Sequence, residues 1–267
     1  MAAPMEIEVV QDPDHIRQAI PVIRSAWGMD NIEQLVKDIL AAMRFHGGLV
    51  LLAREEGRVV GMHFSFAGMK NGKTYLYSHM TGVVAERKYS GIGEVLKLRQ
   101  KEWAIRNGYD LIAWTYDPLM SLNANFNIHK LGTISRAYLR NFYGEMEDAL
   151  NFGIPTDRFV TEWWILKDRF PARKPEYYIN SAEKPGEFQS GPYADIIGFH
   201  IPENYVEMKR NNHGAALEIR LATRIKFQEL FAAGYSVTDY DRKSSAYTLE
   251  RGVGIEEKYG KNIFTTI

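Results

Sequence analysis

The 267-residue sequence contains no cysteine, and it has no excess charge, with Lys plus Arg and Asp plus Glu at 33 each. The missing cysteine excludes disulfide bonds, thiolate zinc sites and cysteine nucleophiles. The balanced charge gives no overall field that would attract nucleic acid or an anionic membrane. No apolar run approaches the ~20 residues that span a bilayer, and the first residues lack the pattern of a signal peptide. We therefore expect a cytoplasmic protein that binds neither nucleic acid nor membrane.

The order of periodic segments predicts an α/β protein with a mixed sheet. A strand at Glu6–Val10 is followed by two helices, of which the second begins at Asp30 or Asn31 and ends at Gly47-Gly48. The next elements expected are strands at Leu49–Arg54, Val59–Gly68, Thr74–Ala85, Leu111–Tyr116, Tyr138–Tyr143 and Phe159–Leu166, with a helix at Gly91–Asn107. Because the strand–helix–strand run from 74 to 116 needs a parallel crossover, the sheet must be mixed.

Two local patterns refine this prediction. Asn71-Gly72, between the second and third strands of the meander, is a hairpin signal. The helix at Gly91–Asn107 is expected to bury a face that carries Val95, Leu96 and Trp103, together with the first apolar residue of the helix.

The last third of the chain is predicted to form a separate small unit. Residues 171–192 hold four prolines and two glycines with little periodicity, so we interpret them as a linker between a domain at 1–170 and an α/β unit at 193–267. That unit has a long helix around Ala215–Ala233, whose apolar face must dock on the first domain or, in a homodimer, on a second copy. Arg220 and Arg224 on it are expected to face solvent, with an anion site or a dimer contact as alternatives.

The loop before the helix at Gly91–Asn107 is the first functional signal. It contains Lys88-Tyr89-Ser90-Gly91-Ile92-Gly93, a basic residue followed by Gly-x-Gly at the junction of a strand and a helix. The glycines let a ligand approach the backbone, and the first amides of the helix favour an anion. A tight turn without a ligand is the alternative. The spacing disfavours the dinucleotide loop Gly-x-Gly-x-x-Gly.

In its strand order this loop resembles the Arg/Gln-x-x-Gly-x-Gly/Ala signature of the GNAT superfamily of acetyltransferases. Residues Asn125–Gly132 resemble the second cofactor motif of that family, a helix that bears Asn and ends in Lys-Leu-Gly. The resemblance covers about residues 5–168. Three further segments, which begin at Trp114, Asn123 and Asp157, look like a branch with an extra C-terminal unit. The family resemblance implies a GNAT-like fold and an acyl-coenzyme A donor, with acetyl-CoA or another acyl-CoA as co-substrate.

The resemblance also implies which residues contact the donor. The backbone near Thr81, Val83 and Val84 would pair with the pantetheine arm, and the pyrophosphate would lie on the loop. The residues implied at the pyrophosphate are Lys88, Tyr89, Ser90, Gly91, Ile92 and Gly93. Asn123 or Asn125 would bond near the phosphate end, and the alternative for both is helix capping after Pro118.

Two positions depart from the family pattern. Lys88 stands where Arg or Gln is usual. Its ammonium can bind a phosphate as a point charge but cannot form the bidentate hydrogen bonds of a guanidinium. Ile128 stands where many members place a tyrosine that protonates the departing thiolate. Another group, or water, must supply that proton.

Three side chains are candidates for acid–base work. His79 lies on the strand before the loop, by alternation on the same face as Thr81 and Val83, and a histidine is a suitable base for an amine. Asp117 follows the next parallel strand, where such sheets place ligand-contacting groups. Glu162 lies in a Trp-rich strand. It is expected to act as a base, to form an ion pair with Arg158 or to lie on the solvent face. A structural role is the alternative for all three.

The sequence thus predicts an N-acyltransferase that moves an acetyl or other acyl group from acyl-CoA to a small-molecule amine. Without cysteine or an activated serine motif, direct attack in a ternary complex is expected, and no metal is required. The alternative is a module that binds CoA or another phosphorylated ligand without turnover, as a sensor or scaffold. A weaker alternative is an acyltransferase that modifies proteins.

Overall fold

The computed structural model describes residues 32–87, 91–144 and 153–264. The predicted strand at Glu6–Val10, the helix after it and the cap at Asp30 or Asn31 lie outside this described part. Three residues of the glycine loop, Lys88, Tyr89 and Ser90, also lie outside it.

Ten strands occur in the described part of the chain. They are β1 (Leu49–Glu55), β2 (Arg58–Lys70), β3 (Lys73–Val83), β4 (Leu111–Tyr116), β5 (Ile134–Leu139), β6 (Arg158–Trp164), β7 (Tyr177–Tyr178), β8 (Ile196–His200), β9 (Tyr235–Asp241) and β10 (Ala246–Arg251). The helices are α1 (Ile32–Phe45), α2 (Ile92–Arg106), α3 (Ser121–Ala124), α4 (Tyr205–Asn211), α5 (His213–Ala232) and α6 (Val253–Tyr259). A π-helical turn, Asn125–Lys130, continues α3.

These strands form one sheet in the order β1-β2-β3-β4-β6-β5-β9-β10-β8-β7. The β3–β4 and β7–β8 pairs are parallel and the others are antiparallel, so the predicted mixed α/β sheet is confirmed. The hairpin signal is confirmed too, because Asn71 and Gly72 both have positive φ (47° and 74°), as a tight β2–β3 turn needs.

Strand β5 begins and ends earlier than the predicted Tyr138–Tyr143. Its pairing with β6 runs from Ile134 to Leu139, and the chain then turns at Asn141, where φ is 44°. The aromatic residues that suggested a longer strand therefore follow the turn, where the Phe142 N–H donates to the carbonyl of Thr156 at 3.0 Å.

The C-terminal part continues the sheet of the N-terminal part. Strand β9 pairs with β5 at Ser135 and Val237, and the largest apolar cluster of the described residues crosses the same boundary. In that cluster the Phe227 ring of α5 lies 4.8 Å from the Phe159 ring of β6 and 4.0 Å from the Phe199 ring of β8. Helix α5 thus docks on the first part of the chain. The domain limits at 170 and 193 stay a prediction.

The segment at 171–192, which is predicted to be a linker, makes contacts with the sheet. It contains β7, and Ile179 directly after β7 is fully buried. The Asn180 side chain donates to the carbonyl of His200 and accepts from its N–H. Prolines interrupt the periodicity here without preventing the chain from packing.

Helix α2 covers one face of β2 and β3. Its buried side chains are Leu96, Lys97, Gln100 and Ala104, which recur at one-face spacing. Val95, which the sequence placed on the buried face, is 57% exposed. The buried face of α2 is therefore rotated, relative to the prediction, toward the polar residues Lys97 and Gln100. As a result the Lys97 side chain lies between α2 and the sheet.

Candidate functional site

The candidate site is a gap between β3 and β4. These parallel strands pair at only two positions, Leu76 with Ile112 and Tyr77 with Ala113. Beyond these pairs β3 continues to Val83 and β4 to Tyr116, with no further pairing between them in the described residues. After Tyr77 the backbone of β3 is therefore not paired with β4 and forms an open strand edge on that side. An extended ligand can pair with such an edge as a strand would.

A β-bulge in β3 lies at the start of this gap. Phe64 pairs with Met80, whereas its neighbour Ser65 pairs with Ser78, so His79 is the extra residue. Because the bulge breaks the alternation, Ser78 and Thr81 share the face toward α2, and His79 lies on the opposite face. The prediction that His79 shares a face with Thr81 and Val83 is therefore wrong.

A buried lysine of α2 packs against the face of β3 and β4 that this helix covers. Lys97 Nζ donates to Ser78 Oγ at 2.7 Å and lies 3.6 Å from the ring centroid of Trp114 on β4. The indole N–H of Trp114 donates to Asn127 Oδ1 at 3.2 Å, which links β4 to the π-helical turn. Burial lowers the pKa of Lys97 to about 7.

A second titratable group lies beside this lysine. His63 on β2 is fully buried, and its Nδ1 is 2.9 Å from Thr81 Oγ1. Burial, and next the positive charge of Lys97, lower the pKa of His63 to about 3. His63 is therefore neutral in the folded protein at neutral pH.

The opposite face of the gap is aromatic. The His79 ring lies 6.0 Å from the rings of Phe64, Phe66 and Tyr77. His79 is exposed to solvent on one side, and its partial burial among these rings lowers its pKa, so its imidazole is neutral at pH 7 and can accept a proton. The hydroxyls of Tyr77 and Thr115 are 3.5 Å apart across the gap, one on each strand.

At its α2 end the gap meets the glycine loop. Gly91 precedes α2 with a φ of 87°, a conformation that disfavours any L side chain. Apart from chain neighbours, no atom of the described residues lies within 4 Å of a Cβ atom added at Gly82, Gly91 or Gly93. Among the first amides of α2, that of Glu94 donates to the carbonyl of Gly91 at 3.0 Å, whereas those of Ile92 and Gly93 have no acceptor inside the helix. These residues fit an anionic group such as a pyrophosphate.

Asp117 lies just after β4 and forms an ion pair with Arg220. Its Oδ2 accepts from Arg220 Nη2 at 2.6 Å, and its Oδ1 accepts from the Leu119 N–H at 2.9 Å. Burial raises the pKa of Asp117, but Arg220 and these hydrogen bonds outweigh it, so the pKa lies below its usual range. Arg220 is 1% exposed and Arg224 binds Asp157 through two bonds of 2.8 Å, so the prediction of a solvated face is wrong.

Glu162 is also fully engaged. Arg136 Nε donates to its Oε1 at 3.0 Å, and Arg136 Nη2 and Trp164 Nε1 donate to its Oε2 at 2.6 and 2.9 Å. The glutamate side chain is fully buried, so neither the solvent face nor a pair with Arg158 is observed. Both oxygens are occupied, and the carboxylate holds β6 to β5.

The two asparagines taken from the second motif lie apart from the buried polar groups. Asn123 is exposed on α3, and Asn125 is half-buried at the start of the π-helical turn. The sequence did not single out Lys97 or Asn127. For Lys97, a usable signal is the spacing of Leu96, Gln100 and Ala104, which indicates the buried face of α2.

Several acetyltransferases are among the solved structures that are similar to this chain. A GNAT family acetyltransferase from Elizabethkingia anophelis with acetyl-CoA bound is 17% identical over 48% of this chain and 82% of that one, at a TM-score of 0.38. An aminoglycoside 6'-acetyltransferase type Ii is 16% identical over 61% and 95%, at a TM-score of 0.38. An aminoglycoside acetyltransferase from an uncultured soil metagenomic sample, in complex with trehalose, is 20% identical over 43% and 78%, at 0.31.

At identities of at most 20% and TM-scores below 0.5, these three matches carry no argument about this chain. No family model and no curated protein matches the sequence. None of the described helices is both long and apolar enough to cross a membrane.

Proposed function

We propose that the chain is an acyltransferase that uses acyl-CoA and acylates an amine of a small molecule. The observation that carries this proposal is the gap between β3 and β4, which opens at Tyr77 and Ala113 and ends at the glycines before α2. An extended arm can pair with the free edge of β3 while its phosphates lie at Gly91 and Gly93. The sequence motifs support the same ligand.

Each end of this site has a separate task. The first amides of α2 and the Gly91 turn would hold the pyrophosphate, and the β3 edge at Thr81, Val83 and Val84 would hold the pantetheine. When bound, acyl-CoA supplies an activated acyl group as a thioester. Lys88, Tyr89 and Ser90, outside the described residues, remain proposed contacts at the phosphates, as do Asn123 and Asn125.

On the aromatic face, His79 is positioned to accept the proton that an amine loses when it attacks. Its imidazole is neutral at pH 7 because burial lowers its pKa. The hydroxyls of Tyr77 and Thr115 lie across the same part of the gap and can orient the amine. Asp117 and Glu162 take no part in this proposal, because Arg220 and Arg136 hold their carboxylates.

The donor site is tested by a Gly93→Val substitution. We expect the affinity for acetyl-CoA, measured by titration calorimetry, to fall at least tenfold, about 1.4 kcal/mol. Gly93 has an ordinary φ, and a new Cβ meets no atom of the described residues within 4 Å apart from chain neighbours, so the melting temperature should change little. Gly254→Val is the matched control, since Gly254 is also the second residue of a helix beside open space. Equal affinity in Gly93→Val would refute the site, as would absence of binding to the wild type.

The role of His79 is tested by its pH profile. Since the pKa of His79 is lowered, the decline of kcat/KM on the acid side of the profile should lie below the ordinary histidine range, about 6.5. We expect His79→Gln to lower kcat by about a hundredfold and to remove that decline. Thiol release with a panel of polyamines, amino sugars and amino acids is the measurement.

The exposed His46 supplies a control, and His46→Gln should leave the profile unchanged. Acetyl-CoA binding without amine-dependent thiol release would favour the sensor alternative. Release with peptide substrates alone would favour an acyltransferase that modifies proteins.

A further inference from the structure

Lys97 is a buried cation without a carboxylate partner in the described residues. The side chain is 4% exposed, and its contacts are the Ser78 hydroxyl and the face of Trp114. Lysines that are this deeply buried are rare and usually paired with an acid. Burial of an unpaired ammonium is expensive, so a purely structural role would be better served by an apolar side chain.

The position of Lys97 in the gap is specific. Ser78 and Trp114 are the first residues of β3 and β4 beyond the last pair, Tyr77 with Ala113. Because Lys97 contacts both of them, its ammonium lies at the apex where the strands part. A ligand whose phosphates lie at the start of α2 and whose arm follows β3 from Val83 toward Ser78 reaches this apex with its far end.

The surroundings of Lys97 contain polar atoms without partners. His63 Nε2, Ser65 Oγ and both amide atoms of Gln100 are buried and make no hydrogen bond in the described part of the chain. Buried polar atoms in folded proteins are usually bonded, so a layer of this kind indicates that water or a ligand completes it.

We propose that Lys97 is the catalytic residue that protonates the sulfur of CoA as it departs. This inference rests on the proposed acyl transfer. It also accounts for Ile128, which is fully buried in the apolar core and offers no proton where many family members carry a tyrosine. His79 and Lys97 then lie on opposite faces of the gap, one to take a proton and one to give it.

The proton balance is complete with these two groups. His79 takes one proton from the attacking amine as the amide C–N bond forms. Lys97 Nζ gives one proton to sulfur as the C–S bond breaks, and the electron pair of that bond stays on sulfur. Lys97 regains a proton from water and His79 releases one, so no oxidant, reductant or further reactant is needed.

The charged and titratable groups around Lys97 are few. Among the described residues, β2 presents His63, which is neutral, and β3 and β4 present the hydroxyl of Ser78 and the indole of Trp114. The π-helical turn contributes the amide of Asn127 behind that indole. With a pKa of about 7, Lys97 can donate to an alkyl thiolate, whose conjugate acid has a pKa near 8.5.

The test measures the thiol of bound CoA rather than turnover. A nearby ammonium stabilises a thiolate. At and below about pH 7, where Lys97 keeps its proton, CoA bound to the wild type should therefore show more thiolate, measured by its absorbance, than free CoA does. We expect Lys97→Met to abolish this difference. Lys101→Met is the matched control, because Lys101 is on the same helix with its Nζ 5.4 Å from the Trp163 ring.

The outcomes separate this inference from the proposed function. Unchanged thiol ionisation in a Lys97→Met variant that still binds CoA would overturn the role of Lys97 and leave acyl-CoA binding intact. No CoA binding to the wild type would overturn both. A Lys97→Arg variant that folds and binds CoA should retain the lowered thiol pKa but lose acyl transfer, because arginine keeps its charge and does not release its proton.

Discussion

A Glu162→Gln variant is expected to lose about 3–5 kcal/mol of free energy of unfolding, as buried ion pairs do when one partner is removed. Arg136 and Glu162 have side chains that are 5% and 0% exposed, so water cannot replace the lost charge. The neutral amide also turns an N–H group toward either the guanidinium or the indole N–H of Trp164, and each of these is a donor. Urea unfolding followed by circular dichroism is the measurement.

The exposed pair of Arg99 and Glu102 supplies the comparison. Glu102→Gln should change the free energy of unfolding by less than about 1 kcal/mol, because exposed pairs contribute little. A Glu162→Gln protein with wild-type stability and no acyl transfer would contradict the structural role and return Glu162 to the candidates for a base.

A Lys97→Met variant is expected to be more stable than the wild type near neutral pH, by about 2–4 kcal/mol. The pKa of Lys97 is lowered from 10.5 to about 7 by burial, and each pH unit corresponds to about 1.4 kcal/mol. Loss of the hydrogen bond to Ser78 and of the contact with Trp114 offsets part of the gain. The buried charge at the apex of the gap therefore lowers the free energy of unfolding of the wild type.

The same variant should alter how stability depends on pH. Between about pH 7 and 10.5 the unfolded wild type retains a proton on Lys97 that the folded protein has lost, so the free energy of unfolding rises with pH. Below pH 7 the cost of the buried charge is fully present, and above 10.5 it is absent. Lys97→Met should lack this contribution and Lys101→Met should keep it. Equal slopes in all three proteins would contradict the buried charge.

The sequence predicts well those elements that local patterns determine. The predicted limits of β4 equal the observed ones, and those of α2 differ by one residue at each end, because apolar periodicity and flanking glycines determine both. The β2–β3 turn was predicted from Asn71-Gly72, two residues that accept positive φ.

The side-chain arrangement of the site could not be predicted in the same way. A lysine in a helix is expected to face solvent, and only the packing of α2 on β3 shows that Lys97 faces Ser78. Asp117 is paired with Arg220, 103 positions away in the sequence, and Glu162 is paired with Arg136, 26 positions away. The single β5–β9 pair, Ser135 with Val237, is likewise a contact between distant segments.

The bulge at His79 affects how relatives of this chain should be aligned. A relative with one residue fewer between Ser78 and Met80 would carry an uninterrupted strand, and it would have no side chain equivalent to His79. An alignment that spreads this difference into the neighbouring loop would pair a histidine from one face with a residue from the other. A gap at position 79 therefore marks a change in the register of β3 that a substitution there would not produce.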